Sequence, residues 1–184
     1  MNKAILSVLG NDRPGIVAAV ARTLQLQNCN IENVSQTILQ TEFAGIFIVS
    51  MPPDLPLEVL HDSLREALNA INLQVHVKPL QQELSDFAAG NTEPFVITTK
   101  GPDRIGLVAD ISEVIARFGV NVTNLQAVFK GGDDPGDNIM IYEVDIPIDI
   151  DRQSFYGSLR EKAADLALEI SIQHRNIFEA INRI

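Results

Sequence analysis

The 184-residue chain is poor in cysteine, in aromatic residues and in long apolar runs. Its single cysteine, Cys29, excludes a disulfide framework within the chain and a metal centre built from several cysteines. Tryptophan is absent and aromatic residues make up only 5% of the sequence, so the stacked aromatic surface of an RNA-binding sheet is not expected. No apolar run approaches the roughly 20 residues that cross a bilayer, which predicts a cytoplasmic protein without a membrane partner.

Positive charge is scarce as well. The chain has 14 Lys and Arg residues against 24 Asp and Glu residues, which gives a formal net charge of -10 at pH 7. DNA and anionic membranes are bound largely by basic residues that neutralise phosphates. The charge balance therefore argues against direct nucleic-acid binding.

The chain contains one sequence pattern twice. GNDRPGIVAAV begins at Gly10 and GPDRIGLVADI begins at Gly101, and the offset of 91 residues holds without a gap as far as Gln36. A second shared block, SLRE, begins at Ser63 and again at Ser158, an offset of 95 residues, so the second copy carries four additional residues, which we place in the loop 130–138. Eight pairs in the ungapped stretch are identical: Gly10/Gly101, Asp12/Asp103, Arg13/Arg104, Gly15/Gly106, Val17/Val108, Ala18/Ala109, Asn30/Asn121 and Asn33/Asn124.

The hydrophobic pattern of each copy predicts the element order βαββαβ. In the first copy the β-rich KAILSVLG precedes the repeated turn, and apolar residues then recur at helical spacing from Ile16 to Leu24. This order predicts an α+β fold of two tandem ferredoxin-like units, each a four-stranded antiparallel sheet with two helices on one face. We place the first unit at 1–80, a polar linker at 81–93 and the second unit at 94–184.

The repeated turn, Gly-x-Asp-Arg-x-Gly, joins a predicted strand to the start of a predicted helix. A helix N-terminus presents unpaired N–H groups and a partial positive charge, which suit a carboxylate or a phosphate. Gly15 and Gly106 lack a Cβ, so a ligand can approach the backbone closely. Asp12 and Asp103 add an acceptor for an ammonium group. The turn therefore suits a small zwitterion.

An asparagine opens the second predicted strand of each copy, Asn30 in the first and Asn121 in the second. We expect each to lie near the turn of its own unit, where its amide would bind either half of an amino acid. A structural interpretation stays open, because Asp is a common helix cap, Gly is a common turn residue and Asn is common before strands.

These residues resemble those of ACT domains, which are small regulatory modules that bind amino acids. The resemblance rests on D-R-(P/I)-G-(I/L)-V in the first turn and on N-(I/V)-x-N at the second strand, and it covers both halves of the chain apart from the linker and the final NIFEAINRI. It implies that ligands lie at an interface between modules. The ligand-binding residues that it implies are Asn11, Asp12, Arg13, Gly15, Ile16, Asn30, Pro102, Asp103, Arg104, Gly106, Leu107 and Asn121.

A chain made of two such modules is similar to the glycine cleavage system transcriptional repressor group. The similarity implies a non-enzymatic regulator, with no metal or cofactor, that binds a free amino acid, with glycine or serine favoured. It also implies a homodimer that acts on transcription of amino-acid or one-carbon metabolism through contact with a transcription factor. Since Asn11 can donate a side-chain hydrogen bond and Pro102 cannot, we expect two unequal sites and favour the first.

Two other functions fit the predicted fold. A structural dimerisation module would keep the same turns without binding a ligand. Acylphosphatases share the βαββαβ order and use an arginine in the first turn with an asparagine on a later strand, which Arg13 and Asn30 would supply. The aspartate that precedes this arginine would repel a phosphate, so the hydrolase is the weaker alternative.

The remaining polar clusters predict no further site. The histidines His61, His76 and His174 have no neighbour at metal-ligand spacing. An EF-hand loop that began at Asp133 would need a carboxylate at its twelfth position, where Val144 stands. Cys29 is interpreted as a packing residue.

Overall fold

The computed structural model describes residues 2–80, 91–128 and 138–177, and it divides into two compact units, Met1–Glu83 (unit 1) and Leu84–Ile184 (unit 2). The elements of unit 1 are β1 (Asn2–Asn11), α1 (Ile16–Leu26), β2 (Asn30–Leu39), β3 (Glu42–Met51), α2 (Leu57–Asn69) and β4 (Gln74–Pro79). The elements of unit 2 are β5 (Thr92–Gly101), α3 (Leu107–Arg117), β6 (Asn121–Val128), β7 (Asn138–Pro147), α4 (Arg152–Asp165) and β8 (Glu169–His174).

Each unit contains one antiparallel four-stranded sheet. The strand order is β2-β3-β1-β4 in unit 1 and β6-β7-β5-β8 in unit 2. The predicted βαββαβ order and the ferredoxin-like fold are therefore confirmed in both units. The first two residues of β5, Thr92 and Glu93, fall inside the segment that the sequence assigns to the linker, and residues 81–90 of that segment lie outside the described residues.

Both helices of a unit pack on the same face of its sheet. In β1 alternate residues Ala4, Leu6 and Val8 are buried, and they share one core with residues of α1 and α2 such as Leu24 and Leu64. This follows from the two periods of the sequence, because a period of two places every second strand residue on one face, while a helical period forms one apolar stripe. Unit 2 has an equivalent core.

The strand registers fix which residues of the two units correspond. Gly10 pairs with Phe43, and Gly101 pairs with Asn138. These pairs reproduce the two sequence offsets, 91 residues on the first strand and 95 residues on the third. Residues of unit 1 and unit 2 can therefore be compared position by position, including positions beyond the ungapped repeat.

Gly10→Ala should destabilise unit 1 by about 1–3 kcal/mol, the usual cost of overpacking. A Cβ at Gly10 would lie 2.7 Å from Leu73 Cδ2 and 2.9 Å from the backbone oxygen of Asn72. Gly157→Ala is the matched control, since Gly157 lies in the middle of α4 with nothing within 4 Å of the added carbon. Alanine there should stabilise by up to about 1 kcal/mol. Urea denaturation measures both variants, and an unchanged midpoint for Gly10→Ala would contradict the close approach.

Candidate functional site

Both repeated turns end in a glycine that begins a helix. Gly15 is the N-cap of α1 with φ 98°, and Gly106 is the N-cap of α3 with φ 100°. A side chain at this φ is strained, whereas glycine adopts it freely. A Cβ at Gly15 would meet nothing within 4 Å, and one at Gly106 would meet only Asp110 Oδ2 at 3.7 Å. The space above each glycine is therefore open to a ligand.

Among the described residues, neither α1 nor α3 has a side-chain cap at its N-terminus. No side-chain hydrogen bond caps α1 at Gly15 or α3 at Gly106 in the part of the chain that the structure describes. By contrast, Asp151 caps α4 through a hydrogen bond from the Ser154 N–H, at 3.1 Å. The interpretation of Asp12 and Asp103 as helix caps is therefore wrong. The first N–H groups of α1 and α3 have no intrahelical partner either, as at any helix start.

The two aspartates of the turns are exposed. The backbone N–H of Asp12 donates to the carbonyl oxygen of Thr41 at 2.7 Å, which fixes the turn against the β2–β3 hairpin. Their carboxylates make no hydrogen bond or ion pair to another described residue. Each turn therefore combines unpaired N–H groups with a carboxylate that is free to accept hydrogen bonds from a cation.

Each turn lies on a pocket. The pocket at the first turn has a volume of about 210 Å³, and the pocket at the second has a volume of about 760 Å³. Most of the predicted turn residues are thus brought together in each unit. The first pocket is lined by Asp12, Arg13, Gly15, Ile16, Val17, Ala18, Gln36 and Phe43, and the second by Asp103, Arg104, Ile105, Gly106, Leu107, Val108, Ala109 and Ser112.

The asparagines that open the second strands do not lie near the turn of their own unit, so that expectation is wrong. Asn30 pairs with Ser50, which pairs with Lys3 near the start of β1, whereas the turn follows the end of β1 at Asn11. Lys3 and Asn11 are eight positions apart along β1, a distance of about 27 Å. Asn121 likewise lies at the end of the unit 2 sheet that is opposite to the second turn.

The reason is the direction of the first helix. Helix α1 runs back along the sheet over 11 residues, roughly 16 Å, so β2 begins at the end of the sheet where β1 begins. The same holds for α3 and β6. An arginine and an asparagine at opposite ends of a sheet, such as Arg13 and Asn30, do not form a phosphate site within one unit.

Two predicted site residues have partners in their own unit. Asn11 Nδ2 donates a short hydrogen bond to Glu42 Oε1 across the β1–β3 pair. One N–H of the Asn11 amide, the group that distinguishes Asn11 from Pro102, is therefore used within the sheet. Arg104 Nη2 donates to the carbonyl oxygen of Asp165 at 3.3 Å, at the end of α4, where a positive charge is favourable.

The residues beneath the two turns differ in polarity. Position by position, Val8 and Phe43 of unit 1 correspond to Thr99 and Asn138 of unit 2. Thr99 is fully buried and Asn138 is 3% exposed, and neither Thr99 Oγ1 nor the Asn138 amide atoms have a hydrogen-bond partner among the described residues. Comparison at the offset of 91 residues misses Asn138, because Phe43 and Asn138 correspond only at the offset of 95 residues, whereas Val8 and Thr99 lie just before the compared stretch.

Tyr142 is a third polar residue of unit 2 at a position that is apolar in unit 1. It is fully buried at the position that Phe47 occupies in unit 1, and its hydroxyl donates to Met140 Sδ at 3.5 Å. Burial raises the pKa of Tyr142 to about 12, although a hydrogen bond with Ser112 acts in the opposite direction. The corresponding residue of Ser112 in unit 1 is Ala21.

The stability of unit 2 should fall as the pH rises above 10. An unfolded tyrosine titrates near pH 10 and folded Tyr142 near pH 12, so below pH 10 the phenol is neutral in both states and the stability is complete. Between these values the unfolded state ionises first, and the unfolding free energy falls by up to about 1.4 kcal/mol per pH unit. Urea denaturation from pH 8 to pH 11.5 measures the slope.

Tyr142→Phe should flatten that slope, while Tyr156→Phe, which changes the other tyrosine of the chain, should keep most of it. Equal slopes for the two variants would contradict the assignment to Tyr142.

Other clusters carry no site in the described residues. Within the ranges 2–80, 91–128 and 138–177, no group of three or more His, Cys, Asp and Glu side chains could hold a metal ion. Asp133, Asp134 and Asp137 lie outside these ranges. Cys29 is buried, which raises the pKa of its thiol and agrees with a packing role. A search of the described helices finds none with the length and apolar character needed to traverse a bilayer.

Comparison with protein families assigns the chain to a family. The family model of the ACT domain matches residues 2–78 and 93–133, which fall in both units. The chain belongs to the ACT domain family. ACT domains are regulatory modules with a ligand-binding fold, and the tandem ACT arrangement predicted from the repeated turn is confirmed.

Similar proteins match either one unit or the whole chain. A UPF0237 protein of Methanopyrus kandleri is 37% identical over 79 residues, which cover 42% of this chain and 88% of that protein. A UPF0237 protein of Neisseria meningitidis serogroup B is 33% identical over 89 residues, which cover 48% of this chain and 96% of that protein. Each aligned length is close to that of one ACT unit.

Two solved structures share the tandem fold. A protein of unknown function from Galdieria sulphuraria superimposes with a TM-score of 0.76 at 23% identity, covering 94% of this chain and 98% of that one. A candidate glycine cleavage system transcriptional repressor superimposes with a TM-score of 0.66 at 15% identity, covering 94% of this chain and 96% of that one. At these identities the likeness concerns the fold.

Proposed function

We propose that this ACT protein is a non-enzymatic regulator that binds a free amino acid at its repeated turns. The observation that carries the proposal is the uncapped helix start beside an exposed, unpartnered aspartate, found twice and each time on a pocket. The ligand carboxylate would accept hydrogen bonds from the first N–H groups of the helix, where the helix dipole favours negative charge. The ligand ammonium would donate to Asp12 or Asp103.

The position of the asparagines argues against a site built from the turn and the asparagine of one unit, and we propose that a homodimer supplies the second unit. Because Asn30 lies about 27 Å from the turn of its own unit, one small ligand cannot touch both within that unit. Pairing of two chains would allow the turn of one chain to meet Asn30 or Asn121 of the other. A ligand bound in this way would stabilise the pair, which couples amino-acid binding to assembly.

Control of a transcription factor through protein contact is the regulatory output that we propose. The likeness to a candidate glycine cleavage repressor supports it at the level of fold. The net charge of -10 favours a protein partner over DNA. Glycine and serine are the first amino acids to test, because the proposed output belongs to one-carbon metabolism.

Titration calorimetry with the free amino acids tests the proposal. We expect glycine or serine to bind with a dissociation constant in the millimolar range or below. A crystal soaked with the bound amino acid should show its carboxylate at the start of α1 or α3. The absence of heat for every amino acid at millimolar concentration would refute ligand binding and leave the structural dimerisation module. Hydrolysis of an acyl phosphate that is lost in Arg13→Ala would instead favour the hydrolase.

A further inference from the structure

We propose that the second turn selects an amino acid with a large apolar side chain, and that Ile105 is the residue that imposes this selection. The inference rests on the proposed amino-acid binding and specifies the chemistry of the ligand in unit 2. The first turn is not expected to share the preference, so one chain would distinguish two classes of amino acid at two sites of common origin.

The first observation is the difference in size between the two pockets. The pocket at the first turn has a volume of about 210 Å³, which is below the range of roughly 300–1,000 Å³ that holds drug-sized ligands. The pocket at the second turn, at about 760 Å³, falls within that range. The first pocket therefore suits a small amino acid such as glycine or serine, and the second has room for a longer side chain.

The second observation is the exposure of Ile105, which lines the pocket at the second turn. Its side chain is more exposed to solvent than any other large apolar side chain among the described residues. A ligand that covers such a side chain is stabilised in proportion to the apolar area that leaves water. An apolar ligand side chain gains this stabilisation, whereas a polar one loses its own contacts with water in the process.

The other polar side chains of this pocket, apart from Asp103, are already bonded within unit 2. Arg104 Nη2 donates to the carbonyl oxygen of Asp165 at 3.3 Å, and Ser112 hydrogen-bonds with Tyr142. The carboxylate of Asp103 is assigned to the ligand ammonium. A ligand side chain in this pocket therefore meets an apolar surface. The remaining lining residues are Ile105, Gly106, Leu107, Val108 and Ala109.

The first pocket differs in the same two respects. It is lined by Arg13 and Gln36, and neither side chain makes a hydrogen bond or ion pair to another described residue. The residue of unit 2 at the position of Gln36 is Ala127. The residue of unit 1 at the position of Ile105 is Pro14, which is not among the described residues that line the first pocket. A polar ligand side chain therefore finds unpaired hydrogen-bonding groups only at the first turn.

Calorimetry with L-leucine, L-asparagine and L-alanine tests the inference. L-Asparagine has the branched shape of L-leucine with a carboxamide in place of the apolar end, and L-alanine lacks the extension altogether. We expect the wild-type protein to bind L-leucine at least about 10-fold more tightly than either of the other two. Ile105→Ser should reduce both ratios to below about 3-fold, because it removes the apolar surface that the ligand covers.

Ile148→Ser is the matched control and should leave both ratios unchanged. Ile148 is an exposed isoleucine of the same unit that is not among the described residues lining the pocket. Ile105→Pro places the residue of unit 1 in the second turn and should lower the ratios as Ile105→Ser does, which keeps the test independent of any effect of serine on the turn.

The aspartates of the turns assign the preference to one site. Asp103→Ala should weaken the binding of L-leucine, and Asp12→Ala should not. Equal binding of the three compounds, a preference that survives both Ile105 variants, or a preference that depends on Asp12 instead of Asp103 would overturn the selection while leaving amino-acid binding intact. No binding of any amino acid would overturn the proposed function and the selection with it.

Discussion

Asp12→Ala should weaken amino-acid binding at the first turn by about 10- to 100-fold, and Asp103→Ala should do the same at the second. A hydrogen bond to a charged group contributes about 1.5–3 kcal/mol, and 1.4 kcal/mol corresponds to a factor of ten in the dissociation constant. Stability should change little, within about 0.5 kcal/mol, because both aspartates are exposed and neither caps a helix.

Calorimetry and urea denaturation of the same samples separate the two effects. Asp12→Asn is the conservative variant, since it keeps the shape of the side chain and removes the charge that would attract an ammonium group. Asp62→Ala is the matched control, because Asp62 is an exposed aspartate on α2, away from both turns, whose partners are Arg65, at 3.2 Å, and His61, at 3.3 Å. Normal binding by Asp12→Ala together with an early unfolding transition would show that the aspartate only shapes the turn.

The architecture could be predicted from the sequence because its signals are local and occur twice. Alternation in KAILSVLG and the helical spacing from Ile16 to Leu24 define elements independently of the rest of the chain. The repetition at an offset of 91 residues then doubles the evidence for each element. Because these local signals agree with the final fold, the sequence pattern predicts the helices and strands correctly.

The placement of Asn30 cannot be inferred from the residues near it, but it follows from the predicted topology. Strands β1 and β2 are parallel and joined by a helix that returns along the sheet, so β2 begins at the end of the sheet where β1 begins. The register of β2 against β3, which includes a shift between Ile31 and Asn33, sets only the exact distance. A turn and an asparagine that are close in the pattern of the repeat are therefore far apart in the unit.

The buried amide of Asn138 could not be identified from the ungapped repeat, and the reason is different. Asn138 and Phe43 correspond only at the offset of 95 residues, after the loop of unit 2 has added its additional residues. A comparison at the offset of 91 residues places other residues opposite each other at this point. The block SLRE carries the second offset, so aligning the strands before it would have revealed the exchange of an aromatic ring for an amide.

Phe43→Asn should destabilise unit 1 by about 3–5 kcal/mol, the cost observed when a buried aromatic ring is removed. Phe43 is 2% exposed and belongs to the core of unit 1, and Gly45 beneath its ring has no side chain to fill the space. The new amide would also be buried without a partner, which adds to the cost. Such a loss is a large share of the 5–15 kcal/mol that holds a typical domain folded, so thermal unfolding should show a transition of unit 1 at a much lower temperature.

Asn138→Leu is the reciprocal change, and its sign shows whether the buried amide stabilises or destabilises unit 2. If Asn138 had hidden partners that hold unit 2 together, its removal would cost stability. Since its amide is buried and unpartnered, leucine should instead raise the unfolding free energy of unit 2 by about 1–3 kcal/mol. Destabilisation by Asn138→Leu would show that the amide has a structural partner after all, and urea denaturation of the wild-type protein and the variant measures the difference.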